Sequence, residues 1–314
     1  MRYAYYPGCS LHSTGSEFDL SLRAVSPRLG LELEEVEGWI CCGSTPAHSV
    51  SGLLALALPV ANLSLVERMR REEVVVPCAS CFRRLKAGHH ETTESPEVME
   101  RVNAVVEPPY QGTVEIRHPL EILSAPEMLR RISTLATKDL SHLRVACYYG
   151  CLLTRPPEVM RFDRHEYPMS MDTVLRAAGI TTLEWNSKTM CCGAAFSLTE
   201  TEIVYKLTAD ILEEARAAGA NAIAVACPLC HANLDTRQSE IEERLERTFG
   251  LPAFYFTQLL GLAMGIPAGR LGIGKHLVDA GGLLPPEPEP LMEAASVVVC
   301  RECDLPTRGG GNRE

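Results

Sequence analysis

The chain has 314 residues, of which 46% are hydrophobic and 22% charged, a composition typical of a globular protein with room for two ordinary domains. Its formal net charge of −10 argues against nucleic-acid binding, because a phosphate backbone is recognised by a concentrated basic surface. The N-terminus lacks the apolar core of a signal peptide, and no segment is long and apolar enough to span a bilayer, so we expect a cytoplasmic protein.

The first half of the chain alternates predicted strands with predicted helices. Strands are expected over 3–7, 31–36 and the β-branched run 73–77. Helical spacing of apolar residues over about 17–29 and 50–71 places one helix in each interval between the strands. Each predicted strand leads directly or after a short loop to cysteine.

The second half repeats this order. Strands are expected over 144–150, 181–185 and 222–228, and helices over 169–178 and 200–218. Strands that alternate with helices indicate a parallel sheet with right-handed crossovers. We therefore predict an α/β protein of two pseudo-repeated domains, each with a small parallel sheet flanked by helices and with cysteines at the carboxyl ends of the strands. Ligands and cofactors bind at that edge in open α/β sheets.

The expected domain limits follow from this repeat. The first domain is predicted over 1–142, including a more polar connecting segment from about 88 to 142 that should contain a helix. The second is predicted over 143–282, with an apolar helical segment at 254–266 near its end. Residues 283–314 form a Pro-rich tail with a Cys-x-x-Cys pair, and we expect it to be extended or mobile.

Ten of the thirteen cysteines follow one pattern that occurs twice. A single cysteine is followed after 31 or 39 residues by an adjacent pair, and after 35 or 34 more by Cys-x-x-Cys. In a reducing compartment, clustered cysteines indicate metal or redox chemistry rather than structural disulfides. The first cysteine set is Cys9, Cys41, Cys42, Cys78 and Cys81, and the second cysteine set is Cys151, Cys191, Cys192, Cys227 and Cys230.

Five thiolates at one sheet edge exceed the four ligands of a tetrahedral zinc ion or of a cubane [4Fe–4S] cluster. The number therefore favours an iron–sulfur cluster of another geometry, in which one thiolate bridges two irons. Soft thiolates without clustered histidines also favour iron–sulfur over a hard ion. There are two alternatives: a zinc ion bound in one half, or ten buried thiols that bind no metal. The duplicated spacing argues against inert thiols.

The remaining three cysteines lie outside the repeated pattern. Cys147 precedes Cys151 by four residues in a predicted strand, and it is either a buried strand residue or a neighbour of the metal group. Cys300 and Cys303 lie in the tail, where they form a redox pair, a site shared with another protein of a complex, or no site at all.

A few polar residues lie close to the cysteines in sequence. His231 follows Cys230 directly, and His12 lies three residues after Cys9; each either donates a hydrogen bond to a cluster sulfur or has a structural role. Arg155 and Lys188 are candidates for a position at the mouth of the crevice, where they would attract an anionic substrate. A solvated surface role is the alternative for both.

Two kinds of motif are missing from the sequence. No Gly-x-Gly-x-x-Gly follows a predicted strand, so no flavin or NAD site is predicted in this chain. No cysteine run of the ferredoxin type is present either. We therefore expect a partner protein to bring the electrons.

Both halves resemble the CCG cysteine-rich domain, and residues 1 to about 280 resemble the family of the heterodisulfide reductase B subunit. The stretches that carry this resemblance are YYPGC at 5–9, CCG at 41–43 and 191–193, CYYGCLLTRP at 147–156, CPLCHANLD at 227–235 and FYFTQLLGLAMGI at 254–266.

This resemblance implies two noncubane [4Fe–4S] clusters, one held by each cysteine set. It further implies that a disulfide binds between the clusters, which face each other across a pseudo-twofold axis. Each cluster would deliver one electron and capture one sulfur, so that two thiols are formed. The substrate would be the coenzyme M–coenzyme B heterodisulfide or a bacterial equivalent.

The resemblance also implies two partners within a heterodisulfide-reductase-like complex: a ferredoxin-like protein of the C type, and a flavoprotein of the A type. We expect a small-molecule disulfide or thiol as substrate, no nucleic acid, and no direct membrane insertion. The main alternative is an electron-transfer module of a quinone- or flavin-linked dehydrogenase complex, without disulfide cleavage. A zinc-binding scaffold is a third interpretation, and it requires colourless protein.

Overall fold

The computed structural model describes residues 1–44 and 47–284, and it contains two sheets of four parallel strands. The strands of the first sheet are β1 (Arg2–Tyr5), β2 (Glu32–Glu35), β3 (Glu73–Val75) and β4 (Glu115–Arg117). The strands of the second sheet are β5 (Arg144–Tyr148), β6 (Thr181–Thr182), β7 (Ala222–Val225) and β8 (Ala253–Tyr255).

Helices connect the strands in both halves. The helices of the first half are α1 (Gly8–Leu11), α2 (Ser16–Val25), α3 (Ala47–Val50), α4 (Gly52–Arg68), α5 (Ala79–Glu94), α6 (Pro96–Asn103), α7 (Pro119–Leu123) and α8 (Pro126–Leu135). The helices of the second half are α9 (Pro157–Met160), α10 (Ser170–Ala177), α11 (Thr201–Ala217), α12 (Pro228–Leu234), α13 (Gln238–Leu245) and α14 (Phe256–Ala263). Short 3-10 helices span Ala194–Phe196, Ala268–Leu271, Ile273–Lys275 and Gly281–Leu283.

The two sheets have the same strand order. It is β2-β1-β3-β4 in the first sheet and β6-β5-β7-β8 in the second. The second strand of each half pairs with one side of the first strand, and the third strand pairs with its other side. This reversal of strand order opens a crevice at the carboxyl ends of the central strands. All residues of β7 are buried, as expected for a strand covered by helices on both faces. The predicted α/β class and the duplication are confirmed.

The fourth strand of each sheet is absent from the sequence-based prediction. β4 lies within the polar segment 88–142, for which only a helix is predicted, and β8 occupies the start of the stretch 254–266, for which the pattern indicates helix throughout. Each strand has three residues, too few for alternation to be visible, and neither carries a β-branched run like the one that reveals the equally short β3. Each is defined by pairing with a buried neighbour strand. The expected strand 181–185 is also shorter, because only Thr181–Thr182 pair with β5.

The two halves pack against each other through α2 and the start of α14. The ring of Phe18 stacks on that of Tyr255, with centroids 4.4 Å apart and planes at 12°. Ser21 and Thr257 share a buried hydrogen bond of 2.6 Å between their hydroxyl oxygens. Buried hydrophobic side chains of both halves form one core. This packing brings together the two sheet edges that carry the cysteines.

Two further expectations concern the C-terminal tail and the absence of a membrane-spanning segment. The predicted tail, with Cys300 and Cys303, lies outside the described residues except for its first two positions. Within residues 1–44 and 47–284, no helix combines the length and the apolar character that crossing a bilayer requires.

Candidate metal centre

Glycines allow the chain to pass close to its own thiols at the start of each site. Gly8 has φ +71°, and a Cβ built on it would lie 2.8 Å from the sulfur of Cys81. Gly150 has φ +68°, and its Cβ would lie 3.0 Å from the sulfur of Cys230. Both the left-handed backbone and the close approach require glycine. The two positions are equivalent in the repeat, directly before Cys9 and Cys151.

A buried tyrosine fixes the residue that precedes each adjacent cysteine pair. The hydroxyl of Tyr6 donates to the carbonyl of Ile40 at 2.7 Å, and that of Tyr148 donates to the carbonyl of Met190 at 2.8 Å. Burial, and then the charge of nearby thiolates, raises the pKa of both tyrosines well above the usual range. The hydroxyls therefore stay protonated donors, and they hold each pair in place from the end of a central strand.

The Cys-x-x-Cys pairs lie at helix N-termini. Cys78 directly precedes α5 and Cys227 directly precedes α12, where backbone N–H groups and the helix dipole stabilise negative charge. A hydrogen bond from Cys230 lowers the pKa of Cys227, and backbone N–H groups, including that of Ser80 in the other half, lower it further. The second set is therefore stabilised as thiolate partly by the first half of the molecule.

The structure brings the five predicted cysteines of each set together. The sulfur atoms of Cys42 and Cys81 lie 3.3 Å apart, and those of Cys192 and Cys230 lie 3.7 Å apart. These distances exceed a disulfide bond of about 2.05 Å, so the thiols are neighbours without being bonded. Hydrogen bonds from Cys41 and Cys81 hold the pKa of Cys42 well below its usual range. In the second set, a hydrogen bond with Cys151 lowers the pKa of Cys191.

The donor chemistry of these sites suits a thiophilic metal group. Each cluster of donors consists of sulfur atoms, several of them held as thiolate, and all cysteines of the described chain are free. Thiolates prefer soft or borderline metals and iron–sulfur clusters to hard ions. An iron–sulfur group fits the residues present, and the five sulfurs of each set are the side chains that would hold it.

A cavity of about 190 Å³ lies at the second cysteine set. Residues of both halves line it, and among the described residues all five cysteines of the second set line it but no cysteine of the first set does. Its walls include Ser44, Arg83 and Arg84 from the first half, and Cys151, Cys191 and Cys230 from the second.

His231 does not face the thiols. Its Nε2 donates to the carbonyl of Ala253 at 3.0 Å, and burial lowers its pKa to about 3. Its Nδ1 lies 3.7 Å from a carboxylate oxygen of Glu17, and one ligand atom each of His231, Asp235 and His276 fall within 4.8 Å of one another. The Nε2 of His276 accepts from the amide of Gln258, which is itself oriented by bonds to the backbone, so Nδ1 of His276 carries its proton. Asp235, which directly follows α12, accepts hydrogen bonds from the backbone N–H groups of Leu277 and Val278, so it fastens a later segment of the chain to the end of α12.

His12 and Cys147 also have structural roles. The Nε2 of His12 lies 3.2 Å from a carboxylate oxygen of Glu35, and its ring contacts the edge of Trp39. Cys147 is fully buried in β5, and its pKa is raised by burial and then by the charge of Asp172. Cys147 is therefore a buried strand cysteine packed against a carboxylate, apart from the second set.

The two cations predicted at the mouth of the crevice are both engaged elsewhere. Lys188 is buried, and its Nζ lies 2.7 Å from Oδ2 of Asp172, so the expectation for Lys188 is wrong. Arg155 lines an outer groove that adjoins Cys151, where it donates to the carbonyl of Thr189 at 3.2 Å and pairs with Glu166 at 3.4 Å. Neither presents a free charge to the cavity.

Sequence reasoning missed Arg83 and Arg84, which do line the cavity. Both follow Cys81 on α5. Residues three apart on a helix share a face. The signal in the sequence was therefore the position of Arg84 three residues after Cys81, in a helix that follows Cys78, a predicted ligand.

Known proteins match both halves of the chain. The family model described as CCG, cysteine-rich domain, matches residues 3–86 and 145–235. The 8-methylmenaquinol:fumarate reductase membrane anchor subunit of Wolinella succinogenes is 31% identical over 281 residues, covering 88% of this chain and 97% of that protein.

Archaeal proteins named for heterodisulfide reductase match over a similar length. The B subunit of the ferredoxin/F(420)H(2)-dependent CoB-CoM heterodisulfide reductase of Methanosarcina acetivorans is 28% identical over 286 residues, covering 88% of this chain and 94% of that protein. A protein of Archaeoglobus profundus, named as similar to the B subunit of heterodisulfide reductase, is 26% identical over 276 residues, covering 84% and 91%.

A solved structure shares the fold. The crystal structure of a hypothetical protein from Helicobacter pylori superimposes with a TM-score of 0.68 at 12% identity. The match covers 88% of this chain and 52% of the Helicobacter protein, so this chain spans about half of its length. At this identity the likeness concerns the fold alone.

Proposed function

Because the chain belongs to the family of the CCG cysteine-rich domain, which it carries twice, we propose that it is the catalytic iron–sulfur subunit of a heterodisulfide-reductase-like complex. Its reaction is the reduction of a disulfide, of the coenzyme M–coenzyme B type or a bacterial equivalent, to two thiols. Relatives named for the B subunit of heterodisulfide reductase support this proposal, because they match this chain over nearly their whole length.

The observation that carries the proposal is the duplication of the five-cysteine set within one chain. A disulfide has two sulfur atoms, and its cleavage is easiest to divide between two metal groups that face the same bound molecule. The duplicated set supports the proposal, because it supplies one metal group for each sulfur of a disulfide.

The proposed cofactors are two noncubane [4Fe–4S] clusters. We assign one to each domain, with the domains taken as residues 1–142 and 143–282. When bound, the two clusters would each supply one electron and a position for one substrate sulfur. The ligands are Cys9, Cys41, Cys42, Cys78 and Cys81 in the first domain, and Cys151, Cys191, Cys192, Cys227 and Cys230 in the second.

The residues of this chain prepare the site in three ways. Helix N-termini and shared protons keep part of each cysteine set as thiolate. Tyr6 and Tyr148 hold the adjacent cysteine pairs at the ends of the central strands. The packing of Phe18 on Tyr255 fixes the two halves against each other.

The reaction consumes two electrons and two protons for each disulfide reduced to two thiols. We propose that the electrons come from a ferredoxin-like partner of the C type and a flavoprotein partner of the A type. The name of the Methanosarcina acetivorans relative describes that reductase as dependent on ferredoxin or F(420)H(2), which supports this part of the proposal.

The test is the measurement of iron and acid-labile sulfide in anaerobically purified protein, with EPR spectra recorded while a thiol is added to the oxidised form. The proposal requires about eight irons per chain, four for each cluster, and a paramagnetic signal that depends on the thiol. Zinc in place of iron would overturn the proposal and would favour a zinc-binding scaffold instead.

A second candidate function is an electron-transfer module in a quinone-linked complex. The observation in its favour is the 31% identity to the membrane anchor subunit of 8-methylmenaquinol:fumarate reductase. The same experiment separates the two functions. Full iron content without any response to thiols or disulfides supports the relay, because a relay has no reason to bind substrate sulfur.

A further inference from the structure

The two cysteine sets concentrate negative charge. Each set supplies five thiolates to its proposed cluster, and every electron that a cluster accepts adds further negative charge to its site. The reduction potential of an iron–sulfur cluster depends on this net charge and on the charges around it. A buried cation close to both sites would therefore make reduction easier at both.

Arg84 is a cation beside the first cysteine set. It lies three residues after Cys81 on α5, a spacing that places both residues on one face of the helix. Burial and then the charge of Arg83 lower the pKa of Arg84, whereas the charge of the Cys42 thiolate raises it. A guanidinium stays protonated in proteins, so this side chain remains a cation within electrostatic reach of Cys42.

The same arginine also lies beside the second cysteine set. It is one of the first-half residues in the wall of the cavity at which all five cysteines of the second set lie. No Asp or Glu is among the described residues that line this cavity. Arg84 thus extends from the first half to the place of the second proposed cluster, and no carboxylate of that wall offsets its charge.

The protein leaves the charge of Arg84 without a partner. Its Nε and Nη2 are buried and have no hydrogen-bond partner among the described residues. No ion pair formed within that part of the chain includes Arg84. Such a charge is costly to bury unless negative groups nearby compensate it, and two cysteine sets that hold clusters would do so.

The repeat does not provide this charge a second time. Because Cys81 corresponds to Cys230, the residue equivalent to Arg84 is Asn233, which is uncharged. The Nδ2 of Asn233 donates to the carbonyl of Cys192 at 3.0 Å, so it supports the adjacent cysteine pair of its own half. The two sites therefore have one arginine between them where a symmetric repeat would have two.

We propose that Arg84 is a single cation shared by the two sites, and that it raises the reduction potential of both proposed clusters. This inference rests on the proposed function for the presence of two clusters, but it does not depend on the cleavage of a disulfide. The charge acts through space, so it requires no contact with either cluster. One charge that favours reduction at both sites suits a reaction that takes one electron from each.

The test measures the potential of each site separately, by redox titration followed by EPR. The variant Cys192→Ala is expected to keep only the first proposed cluster, and Cys42→Ala only the second. Adding Arg84→Gln to either variant should lower the midpoint potential of the remaining site. We expect the ratio of oxidised to reduced cluster at a fixed potential to rise about tenfold, which is ~59 mV for one electron, the order of a Coulomb interaction between partly buried charges. Titration of Arg84→Gln with both cysteine sets intact should show the two shifts together.

Three further variants separate charge from packing. Arg84→Met also removes the charge but keeps an unbranched apolar side chain, so it should give the same shifts as Arg84→Gln. Arg84→Lys keeps the charge and should keep both potentials near those of the wild type. Arg101→Gln removes a charge from an exposed position on α6 and should change neither potential.

Iron is measured in every protein, so that a lost cluster is not mistaken for a shifted one. A shift at only one site would overturn the shared role, and equal shifts in Arg84→Lys and Arg84→Gln would show that packing rather than charge matters. Loss of iron in both uncharged variants would also overturn the proposal, because Arg84 would then be needed to hold the clusters. A wild type without iron would overturn the cluster assignment and this inference together, whereas about eight irons with unchanged potentials would overturn the inference alone.

Discussion

Gly8 and Gly150 are the residues at which the backbone passes closest to the proposed ligands. Each has a left-handed φ, and alanine at either position would place its methyl group against the sulfur of the last cysteine in that set. Where no such neighbour is present, replacing the glycine by alanine costs only the strain of a left-handed backbone at a residue with a Cβ. Gly38, with φ +76°, has no atom within 4 Å of its ideal Cβ position, and this makes it a matched control.

We expect Gly8→Ala to lose the iron of the first site while keeping that of the second. The Cβ would need the space of the Cys81 sulfur, which cannot move without leaving the metal group. Gly38→Ala should cost only about 1–2 kcal/mol of left-handed strain and keep all its iron. Iron analysis of both variants, with urea unfolding, measures the difference; equal iron in the two would contradict it.

His118 provides a test of pH dependence. It is fully buried, its Nε2 contacts the carbonyl oxygen of Pro77 at 3.0 Å, and burial lowers its pKa to about 3. The folded state keeps this ring neutral, whereas the unfolded chain takes up a proton below its ordinary pKa of about 6.5. The stabilising contribution is therefore complete above that pH and is lost as the pH falls from there towards 3.

This histidine alone should remove about 2 kcal/mol of unfolding free energy between pH 7 and pH 5, from its linkage with proton binding. The variant His118→Asn keeps a residue suited to the start of α7. It should be less stable than the wild type at pH 7 but should lose less on acidification. Urea unfolding at the two pH values is the measurement, and an identical pH slope in both proteins would rule out this role.

At the scale of secondary-structure elements, Lys188 ties two cysteine loops together. Its carbonyl accepts the backbone N–H groups of Tyr149 and Gly150, directly before Cys151, while its side chain is buried against Asp172. The loop that leads to Cys191 is thereby fixed to the end of β5. A buried pair of this kind is costly to break on one side, because the remaining charge is left alone.

We expect Lys188→Met to destabilise the protein by about 3–5 kcal/mol and to lower the iron of the second site before that of the first. Lys206→Met is the control, because Lys206 and Asp210 form an exposed pair on α11 whose loss should cost under about 1 kcal/mol. Urea unfolding and iron content test both. Similar losses in the two variants would show that the buried pair has no special role.

Most of the strands and the meeting of the cysteines can be predicted from the sequence, whereas two strands and the positions of Lys188 and Arg84 cannot. Three predicted strands in each half end at cysteines, and this alone predicts that distant thiols meet at a sheet edge. The strands β4 and β8 escape prediction because three residues cannot show a period and neither strand has the β-branched run that reveals the equally short β3. Lys188 is wrongly predicted at the crevice mouth because its partner Asp172 lies sixteen residues earlier and becomes a neighbour only after folding. The helical spacing of Cys81 and Arg84 is visible in the sequence. That Arg84 lines a cavity follows only from the packing of the two halves.

At the scale of the whole molecule, duplication creates a site that neither half has alone. The cavity takes walls from both halves, and a backbone N–H of Ser80 in the first half lowers the pKa of Cys227 in the second. The halves are nevertheless not identical. All five cysteines of the second set line the cavity together with Arg83 and Arg84 of the first half, whereas among the described residues no cysteine of the first set lines it.

The central claim is that each half holds its own iron–sulfur cluster, and the most direct measurement is the iron content of two single variants. Cys42→Ala removes one proposed ligand from the first set, and Cys192→Ala removes the equivalent ligand from the second. The proposal predicts about eight irons in the wild type and about four in each variant, since each cluster contains four. Iron that is unchanged in either variant, or absent from either, would contradict two independent clusters.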